Sequence, residues 1–542
     1  MNSKQQILLN KIEYLFKFLY IVGVLAVLAL LNDVGKDYII SSFMVFMLIY
    51  LFCGLSVPQA FLTIAKPRFQ KQLFKNAKNA FHSTVLYLVL VEGIAMVVGF
   101  VFLEKMSVFL HIVKTFPHGI GLFLPLLLLV PLNEVFRCYY QCYNRRFTVI
   151  ITRVIGVITA LVTGIFVYNP LKEYGMKVDA LLKSNCMEDV YASLTIPIAI
   201  LVSQVFVFLC MCWMYLVYKP FIRKNISNDL TKSNETLLGM LPVISKAHMS
   251  ANLYKISIYF LIFIAFIFCS FYNRKAPGLE YVNTSFGILA IVLCVTILIP
   301  YFVSKAFSLK YILRYRKMLK NEDSRGVKAY LWNRTQKFII ITFALAVFFA
   351  VMAESVIYIL IGEVMPQYVV HMQILSVAFA FVPLYSLYSM FLTNIGKSKA
   401  VLIINYIALA ASIGITFWLY NVQTIGGYGI SIGIISYFFI AFVCEFFVLE
   451  REAGFNKKPI KLLGLPVLST FIMGIVLLLL SKVIGITQQR LLQLVIVVVL
   501  LLLCIVIYMI LLLVSRCIEE EELNGGFWGK IMYRLGELLH IF

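Results

Sequence analysis

Long apolar stretches recur along the whole chain, and they constrain its fold more than any other feature. A membrane-spanning helix needs about 20 mostly apolar residues to cross the roughly 30 Å of hydrocarbon in a bilayer. Stretches of this kind lie near 12–32, 39–65, 83–103, 120–143, 147–168, 191–218, 252–272, 284–304, 338–361, 368–394, 399–420, 426–448, 463–484 and 491–514. The sequence therefore predicts an all-α polytopic membrane protein with about 14 transmembrane helices.

Composition agrees with this prediction and leaves little room for a soluble domain. Of the 542 residues, 62% are hydrophobic and only 13% are charged, whereas soluble domains are about 45–50% apolar. The 11 cysteines fall almost entirely within the apolar stretches, and none has metal-ligand spacing with a histidine. We therefore expect no metal, no cofactor and no disulfide framework. The N-terminal apolar stretch has no small-residue cleavage site, so we expect it to be retained as the first span.

The net charge of +22 is distributed by loop. Basic residues concentrate in every second loop, which is the pattern that orients membrane proteins with those loops in the cytoplasm. The basic loops contain Lys66, Arg68, Lys71, Lys75, Lys78, Arg145, Arg146, Lys219, Arg223, Lys224, the run from Lys310 to Lys337, Lys397, Lys399, Lys457, Lys458 and Lys461. We predict that both termini are cytoplasmic, and this distribution argues against a nucleic-acid partner.

Two basic segments have an amphipathic pattern. The predicted loop 305–337 interleaves apolar and basic residues, which suits either an anionic lipid surface or a solvated linker. The tail 517–542 repeats the pattern and is predicted to be a cytoplasmic, interfacial helix that anchors the chain.

The chain contains an internal repeat at an offset of 252 residues. This offset aligns Pro131 with Pro383 and the apolar stretch at Val149 with the one at Val401. Because the offset crosses an even number of spans, the two halves have the same orientation, as in transporters built from parallel halves. We predict six-helix bundles at 1–225 and 226–450, followed by two additional helices within 451–516.

Two matched polar stripes lie at that offset. Residues four apart share one helix face, and each stripe begins near a proline. The stripes are Asn133, Arg137 and Gln141 in the fourth span, and Tyr385, Ser389 and Thr393 in the tenth. They are interpreted as the lining of a central cavity; the alternative is that they join neighbouring helices by hydrogen bonds.

Several ionisable residues fall within or at the edges of spans, where a central charge costs about 2.5–3.5 kcal/mol. Such residues should face protein or water, and Arg137 is the leading candidate because it belongs to a polar stripe. Glu92 is interpreted either as the ion-pair partner of Arg137 or, with Glu354, as an ion-coupling candidate. Lys255 could instead extend its ammonium group to the interface, and Glu134 is interpreted as structural.

The chain resembles the multidrug/oligosaccharidyl-lipid/polysaccharide (MOP) flippase superfamily, in particular its polysaccharide-exporter and stage V sporulation protein B-like branch. The resemblance covers most of the chain. It rests on GLSVPQAF at 54–61, FRCYYQCYNRRFTVIITRVIG at 136–156, VMAESVIYILIG at 351–362, HMQILSVAFAFVPLYSLYSMFLTNIGKSKAVLIINYIAL at 371–409 and IGGYGISIGIISY at 425–437.

This resemblance implies two six-helix bundles around a central cavity, and a flippase rather than an enzyme. The implied cargo is an undecaprenyl-diphosphate-linked oligosaccharide, moved from the inner to the outer leaflet of the bacterial cytoplasmic membrane. Membrane lipids and other polysaccharide assembly proteins are the implied partners. A water-filled cationic cleft would hold the diphosphate, and its candidate cations are Arg137, Arg153, Lys17 and Lys255.

Three alternatives stay open. The first span lacks the Ser-Arg, Gly and Arg-Asp pattern of lipid II flippases and has Glu13, Tyr14, Lys17 and Tyr20 instead. An O-antigen, capsular or exopolysaccharide unit is therefore preferred to lipid II as cargo. A drug/cation antiporter would need buried carboxylates, for which Glu92 and Glu354 are the candidates. A membrane polysaccharide polymerase or ligase would need converging catalytic groups, and the sequence offers no catalytic constellation of this kind.

Overall fold

The computed structural model describes residues 3–109, 117–227, 229–231, 235–275, 285–321, 324–422, 425–454, 464–487, 489–515, 517, 533–534 and 537. Within these ranges all secondary-structure elements are helices. The helices are α1 (Ser3–Leu30), α2 (Asp33–Cys53), α3 (Val57–Gln70), α4 (Phe74–Val101), α5 (Leu103–Phe109), α6 (His118–Phe123), α7 (Leu126–Cys142), α8 (Arg146–Leu182), α9 (Met187–Ser193), α10 (Thr195–Ser227), α11 (Leu237–Lys275), α12 (Phe286–Leu293), α13 (Ile299–Lys320), α14 (Ser324–Val351), α15 (Ala353–Ile361), α16 (Pro366–Ser376), α17 (Ala378–Asn394), α18 (Ser398–Tyr420), α19 (Tyr428–Ala453), α20 (Leu465–Ile484) and α21 (Arg490–Val514). A π-helical turn, Cys294–Leu298, joins α12 to α13.

Fourteen helical segments in the described part of the chain are long and apolar enough to cross a membrane. This confirms the predicted number of spans and the all-α polytopic fold class, and the protein is a multi-pass membrane protein. Some segments combine two helices: α2 and α3 form one 38-residue segment with a break that begins at Gly54.

The chain divides into two compact units, each of which packs mainly against itself. Unit 1 comprises Met1–Leu279 with Ser285–Ala290, and unit 2 comprises Glu280–Thr284 with Ile291–Phe542. The predicted bundle limits at 225/226 and 450/451 come from the sequence repeat, whereas the two units are defined by packing. The bundle limits therefore stay a prediction.

In unit 1, α7 is the central helix and packs against α3, α4, α8 and α10. Its apolar side chains, with those of its neighbours, form a buried aromatic cluster that includes Phe61, Phe81, Phe136 and Tyr139. In unit 2, α17 packs against α13, α14, α18 and α19 in the same way, and its cluster includes Tyr315, Tyr388 and Phe391.

The repeat predicted from the sequence is also a repeat of structure. Helices α7 and α17 are each 17 residues long, and both of their ends lie 252 positions apart. The next helices, α8 and α18, begin at Arg146 and Ser398, which are separated by the same offset. Buried residues of the two aromatic clusters match too, including Phe136 with Tyr388 and Tyr139 with Phe391.

Helix replaces two segments that the sequence predicts as loops. The loop 169–190 is largely the end of α8 and the start of α9. The loop 305–337 is occupied by α13 and α14, whose Tyr315 and Leu331 are completely buried. It is therefore not a solvated linker. The predicted amphipathic tail 517–542 lies outside the described residues, apart from 517, 533–534 and 537.

Candidate functional site

Arg137 lies on the buried side of α7, in the middle of unit 1. Its side chain is only 4% exposed, so its charge needs partners within the protein. Nη1 lies 2.6 Å from Oε1 of Glu134, one turn earlier on the same helix, and Nε donates to the Thr152 hydroxyl at 3.3 Å. The hypothesis that Glu92 is the partner of Arg137 is therefore wrong.

Glu134 connects Arg137 to a second arginine, Arg153 of α8. Its Oε1 lies 2.6 Å from Nη1 of Arg153, and its Oε2 accepts a hydrogen bond from Nη2 at 2.6 Å. One carboxylate thus holds two guanidinium groups from neighbouring helices. Short, charge-assisted contacts of this kind are the strongest hydrogen bonds that side chains make.

Helix α1 adds a second carboxylate and a third cation to this cluster. Oε1 of Glu13 lies 3.0 Å from Nζ of Lys17, one turn along α1. The same oxygen lies 3.7 Å from Nη2 of Arg153, and α1 packs along α8. The cationic cluster, as we call it, therefore consists of Glu13, Lys17, Glu134, Arg137 and Arg153.

Among the three cations of the cluster, exposure increases from α7 towards α1. The exposed fraction of the side chain is 4% for Arg137, 16% for Arg153 and 28% for Lys17. An anion that enters the cluster would meet Lys17 and Arg153 before it met Arg137. Arg137, the leading candidate from the sequence, is better placed to hold Glu134 than to bind a ligand directly.

The first polar stripe behaves differently at each of its three positions. Asn133 is completely buried, and its amide nitrogen donates to the backbone oxygen and to Oε1 of Gln204, both at 3.0 Å. This contact joins α7 to α10, as the helix-joining interpretation requires. Gln141 is half-buried at the last turn of α7, two turns beyond Asn133.

Lys255 of α11 also lies in unit 1, where its ammonium group donates to the backbone oxygen of Leu55 at 3.1 Å. Leu55 lies at the break between α2 and α3, so Lys255 satisfies a carbonyl that the interrupted helix leaves free. Lys255 and Glu134 are close enough to interact electrostatically.

Glu92 of α4 is completely buried, and neither of its carboxyl oxygens has a hydrogen-bond partner among the described residues. It packs against Gly54 and Tyr50, where α2 ends. An ionised carboxylate is very costly in such a place. The other ion-coupling candidate, Glu354, is exposed in the first turn of α15.

The second polar stripe, in unit 2, contains one strong contact. Ser389 donates to Oε1 of Glu445 on α19 at 2.5 Å, and Glu445 is completely buried. Tyr385 is buried against the rings of Tyr437 and Phe438. Thr393 donates to the Met390 carbonyl of its own helix at 2.9 Å and therefore contributes nothing to the contact with α19.

Sequence reasoning missed three functional candidates. It interpreted Glu134 as structural, although its position three residues before Arg137 in an apolar span was a signal for an ion pair. It named Glu13 only as a departure from a motif, and it did not select Glu445, an isolated acid in the apolar sequence FFIAFVCEFFVL. Among the described residues, no group of three or more His, Cys, Asp or Glu could hold a metal ion.

Comparisons with known proteins give a fold. No family model matches the chain, and no curated protein matches it. Among solved structures, the chain is similar to the lipid II flippase MurJ in an inward closed conformation, with a TM-score of 0.60 and 15% identity over 92% of this chain and 97% of that one. It is also similar to an inward-facing multidrug resistance MATE family transporter of the MOP superfamily, with a TM-score of 0.57 and 13% identity over 80% and 94% of the two chains.

A MATE in its straight conformation is similar to the same degree, with a TM-score of 0.57 and 15% identity over 83% of this chain and 95% of that one. The chain shares the fold of these transporters. The resemblance noted in the sequence is thus supported by structure. At identities this low, the likeness shows the fold alone and does not extend to the chemistry of the site.

Proposed function

We propose that this protein is a flippase that moves an undecaprenyl-diphosphate-linked oligosaccharide from the inner to the outer leaflet of the bacterial cytoplasmic membrane. The oligosaccharide would be an O-antigen, capsule or exopolysaccharide repeat unit. Both termini would be cytoplasmic, and the other polysaccharide assembly proteins would be partners. The proposed role is transport rather than catalysis.

The observation that carries this proposal is the cationic cluster within the membrane-spanning part of unit 1. Three cations, Lys17, Arg137 and Arg153, face two carboxylates, which leaves a net charge of +1. Charge inside a membrane protein is costly and usually functional. A positively charged cluster with partly exposed members suits an anionic head group, and a cationic drug would be repelled. Lys255 and Gln141 remain substrate-binding candidates near it, whereas Asn133 is buried in the contact with α10. Tyr385, Ser389 and Thr393 are the counterparts in unit 2 of Asn133, Arg137 and Gln141.

The membrane potential provides a driving force in the proposed direction. The cytoplasm is electrically negative, so exporting about two negative charges would release about 5 kcal/mol per 100 mV. Alternating access of the two predicted bundles, 1–225 and 226–450, would carry the head group across. If transfer persisted after the bundles were crosslinked to each other on either face, this rocking mechanism would be wrong.

The coverage of the structural matches favours the flippase branch over the drug-transporter branch. The lipid II flippase MurJ aligns with 92% of this chain, whereas the two MATE structures described above align with 80% and 83%. The altered first span argues against lipid II itself as cargo. A competition assay between lipid II and an undecaprenyl-diphosphate oligosaccharide would decide between the two cargoes.

The test is leaflet transfer of a fluorescent undecaprenyl-diphosphate oligosaccharide in proteoliposomes. Arg153→Gln should reduce the initial rate at least tenfold, because it removes a partly exposed cation of the cluster. Arg137→Ala should also reduce the rate, through loss of the Glu134 contact. Arg223→Gln, which removes an exposed arginine at the end of α10, should leave the rate unchanged. Equal transfer rates in the wild type and all three variants would disprove the cationic cluster as the head-group site.

A proton-coupled drug/cation antiporter is the second candidate, and buried carboxyl groups are the observation that favours it. Glu92 and Glu445 are both completely buried, whereas Glu354 is exposed, so burial favours Glu92 between the two ion-coupling candidates from the sequence. Proton-driven efflux of a cationic dye that is lost in Glu92→Gln, together with no transfer of any lipid-linked sugar, would replace the flippase with the antiporter.

A further inference from the structure

The two most exposed cations of the cationic cluster already have a carboxylate of the chain itself between them. Glu13 of α1 lies between the two most exposed cations, with its Oε1 3.0 Å from Nζ of Lys17 and 3.7 Å from Nη2 of Arg153. Its side chain is 17% exposed and that of Glu134 is 27% exposed, so ligands and solvent can reach both carboxylates, and the strength with which each is held distinguishes them. A phosphate group that used these two cations would need the space that the Glu13 carboxylate fills.

The two carboxylates of the cluster are held with unequal strength. Glu134 makes contacts of 2.6 Å with three nitrogens on two arginines. Glu13 makes one comparable contact, to the flexible Lys17, and its contact with Arg153 is longer than a hydrogen bond. An incoming anion would therefore displace Glu13 and leave Glu134 in place.

Arg153 has an unused donor with which to receive that anion. Its Nε is buried and has no hydrogen-bond partner among the described residues. Unsatisfied buried donors are rare and costly, and an arginine can present Nε and Nη2 side by side to one phosphate group. The spare donor lies on the same guanidinium group as the long contact with Glu13.

Charge balance points the same way. With Glu13 in place the cluster has three cations and two carboxylates, a net charge of +1. Without Glu13 the net charge is +2, which matches the charge of about −2 on a diphosphate diester. The exchange would keep a dianion neutralised inside the membrane, and a monoanion would gain much less from it.

We propose that Glu13 is an internal counter-ion that occupies the phosphate position of the empty site and is displaced by the diphosphate of the substrate. The proposal rests on the proposed function and extends it to the regulation of the same site. In the empty state Glu13 ties α1 to α8 through Arg153. Binding replaces that direct contact with one through the phosphate, between Lys17 of α1 and Arg153 of α8, so occupancy of the site changes what holds the first helix.

The test is binding of inorganic pyrophosphate to the purified full-length protein in lipid nanodiscs at low ionic strength, measured by titration calorimetry. Glu13→Gln removes the competing charge with little change of shape, so it should bind pyrophosphate about tenfold more tightly, equivalent to about 1.4 kcal/mol. Glu173→Gln, which removes an exposed carboxylate further along α8, should bind like the wild type. Equal or weaker binding by Glu13→Gln would overturn the proposal.

A second variant covers the case in which Glu13→Gln does not fold. Lys17→Gln removes one cation and leaves Glu13 to Arg153 alone, so it should bind pyrophosphate about tenfold more weakly than the wild type. Unchanged binding would overturn the proposal.

Leaflet transfer by the wild type separates this proposal from the proposed function. If the wild type transfers the lipid-linked sugar but Glu13→Gln does not bind pyrophosphate more tightly, the counter-ion proposal is wrong and the flippase proposal stands. If Glu13→Gln binds pyrophosphate more tightly but the wild type transfers no lipid-linked sugar, Glu13 is still a counter-ion in an anion site and the flippase proposal is wrong.

Discussion

Glu134 has the greatest effect on the cationic cluster of any single residue, because it neutralises two arginines at once. Replacing it with Gln would leave Arg137, whose side chain is 4% exposed, as a buried charge without a carboxylate. Removing one partner of a buried ion pair costs about 3–5 kcal/mol. We expect Glu134→Gln to lower the unfolding temperature in detergent clearly, measured by intrinsic fluorescence. Glu173→Gln should not change it, and an unchanged unfolding temperature in Glu134→Gln would contradict this role.

Ser389 and Thr393 belong to one polar stripe but should differ in their contribution to stability. The Ser389 hydroxyl donates to Oε1 of Glu445 at 2.5 Å, whereas Oε2 of Glu445 has no hydrogen-bond partner among the described residues. An unsatisfied buried carboxyl group costs about 1–3 kcal/mol. Ser389→Ala should therefore destabilise the protein by about that amount in denaturant unfolding. Thr393→Ala, which loses a bond to its own helix at an exposed position, should stay within about 0.5 kcal/mol.

Sequence periodicity selected Arg137 but not its partner, and the reason is physical. A four-residue spacing identifies residues on one face of one helix, whereas ion pairs also depend on which helices are neighbours. Arg153 reaches Glu134 from the next helix, α8, and Glu13 reaches Arg153 from α1, which is distant in the sequence. Glu134 itself could have been predicted, because its three-residue separation from Arg137 puts both on the same helix face.

Among the elements, α8 departs most from its prediction. The sequence places a loop after residue 168 because polar residues begin there, yet the helix continues through Pro170 to Leu182. Asp179 explains how it ends: its carboxylate accepts hydrogen bonds from the Ser184 hydroxyl and from the backbone nitrogens of Met187 and Glu188. These hydrogen bonds dock the start of α9 against α8. Hydropathy marks where lipid contact ends and gives no information about such a polar helix extension.

Two glycines of α8 test this docking with substitutions of opposite effect. A Cβ on Gly175 would lie 2.7 Å from the Glu188 Cα and the Met187 carbonyl oxygen, both backbone atoms that cannot move aside easily. Gly164 has nothing within 4 Å of its Cβ position. Gly175→Ala should lose about 1–3 kcal/mol of stability through overpacking. Gly164→Ala should gain about 0.5–1 kcal/mol from helix propensity. Denaturant unfolding in detergent would measure both, and equal effects would contradict the close approach of α8 and α9.

For the whole molecule, the fold was largely predictable and the chemistry was not. The number of spans and the parallel repeat follow from hydropathy and from one offset, because bilayer thickness and helix geometry leave few alternatives. The same offset aligns Arg137 with Ser389 in the sequence. Equivalent positions therefore carry a cation in unit 1 and a hydroxyl that is hydrogen-bonded to a carboxyl group in unit 2. A repeat preserves packing positions such as Tyr139 and Phe391 and leaves the polar positions free to diverge.

The orientation of the whole molecule is the remaining prediction from the loops. The turn at Gln72, between α3 and α4, belongs to the basic loops. The turn at Lys183, between α8 and α9, belongs to the alternate loops, in which basic residues are fewer. A protease site inserted after Gln72 should be cleaved only in inside-out membrane vesicles, and one inserted after Lys183 only in right-side-out vesicles. The reverse pattern would invert the topology. The driving force would stay the same, because a negative cytoplasm favours outward movement of an anionic head group in either topology. An inverted chain would instead change which end of the protein meets the head group on the cytoplasmic side.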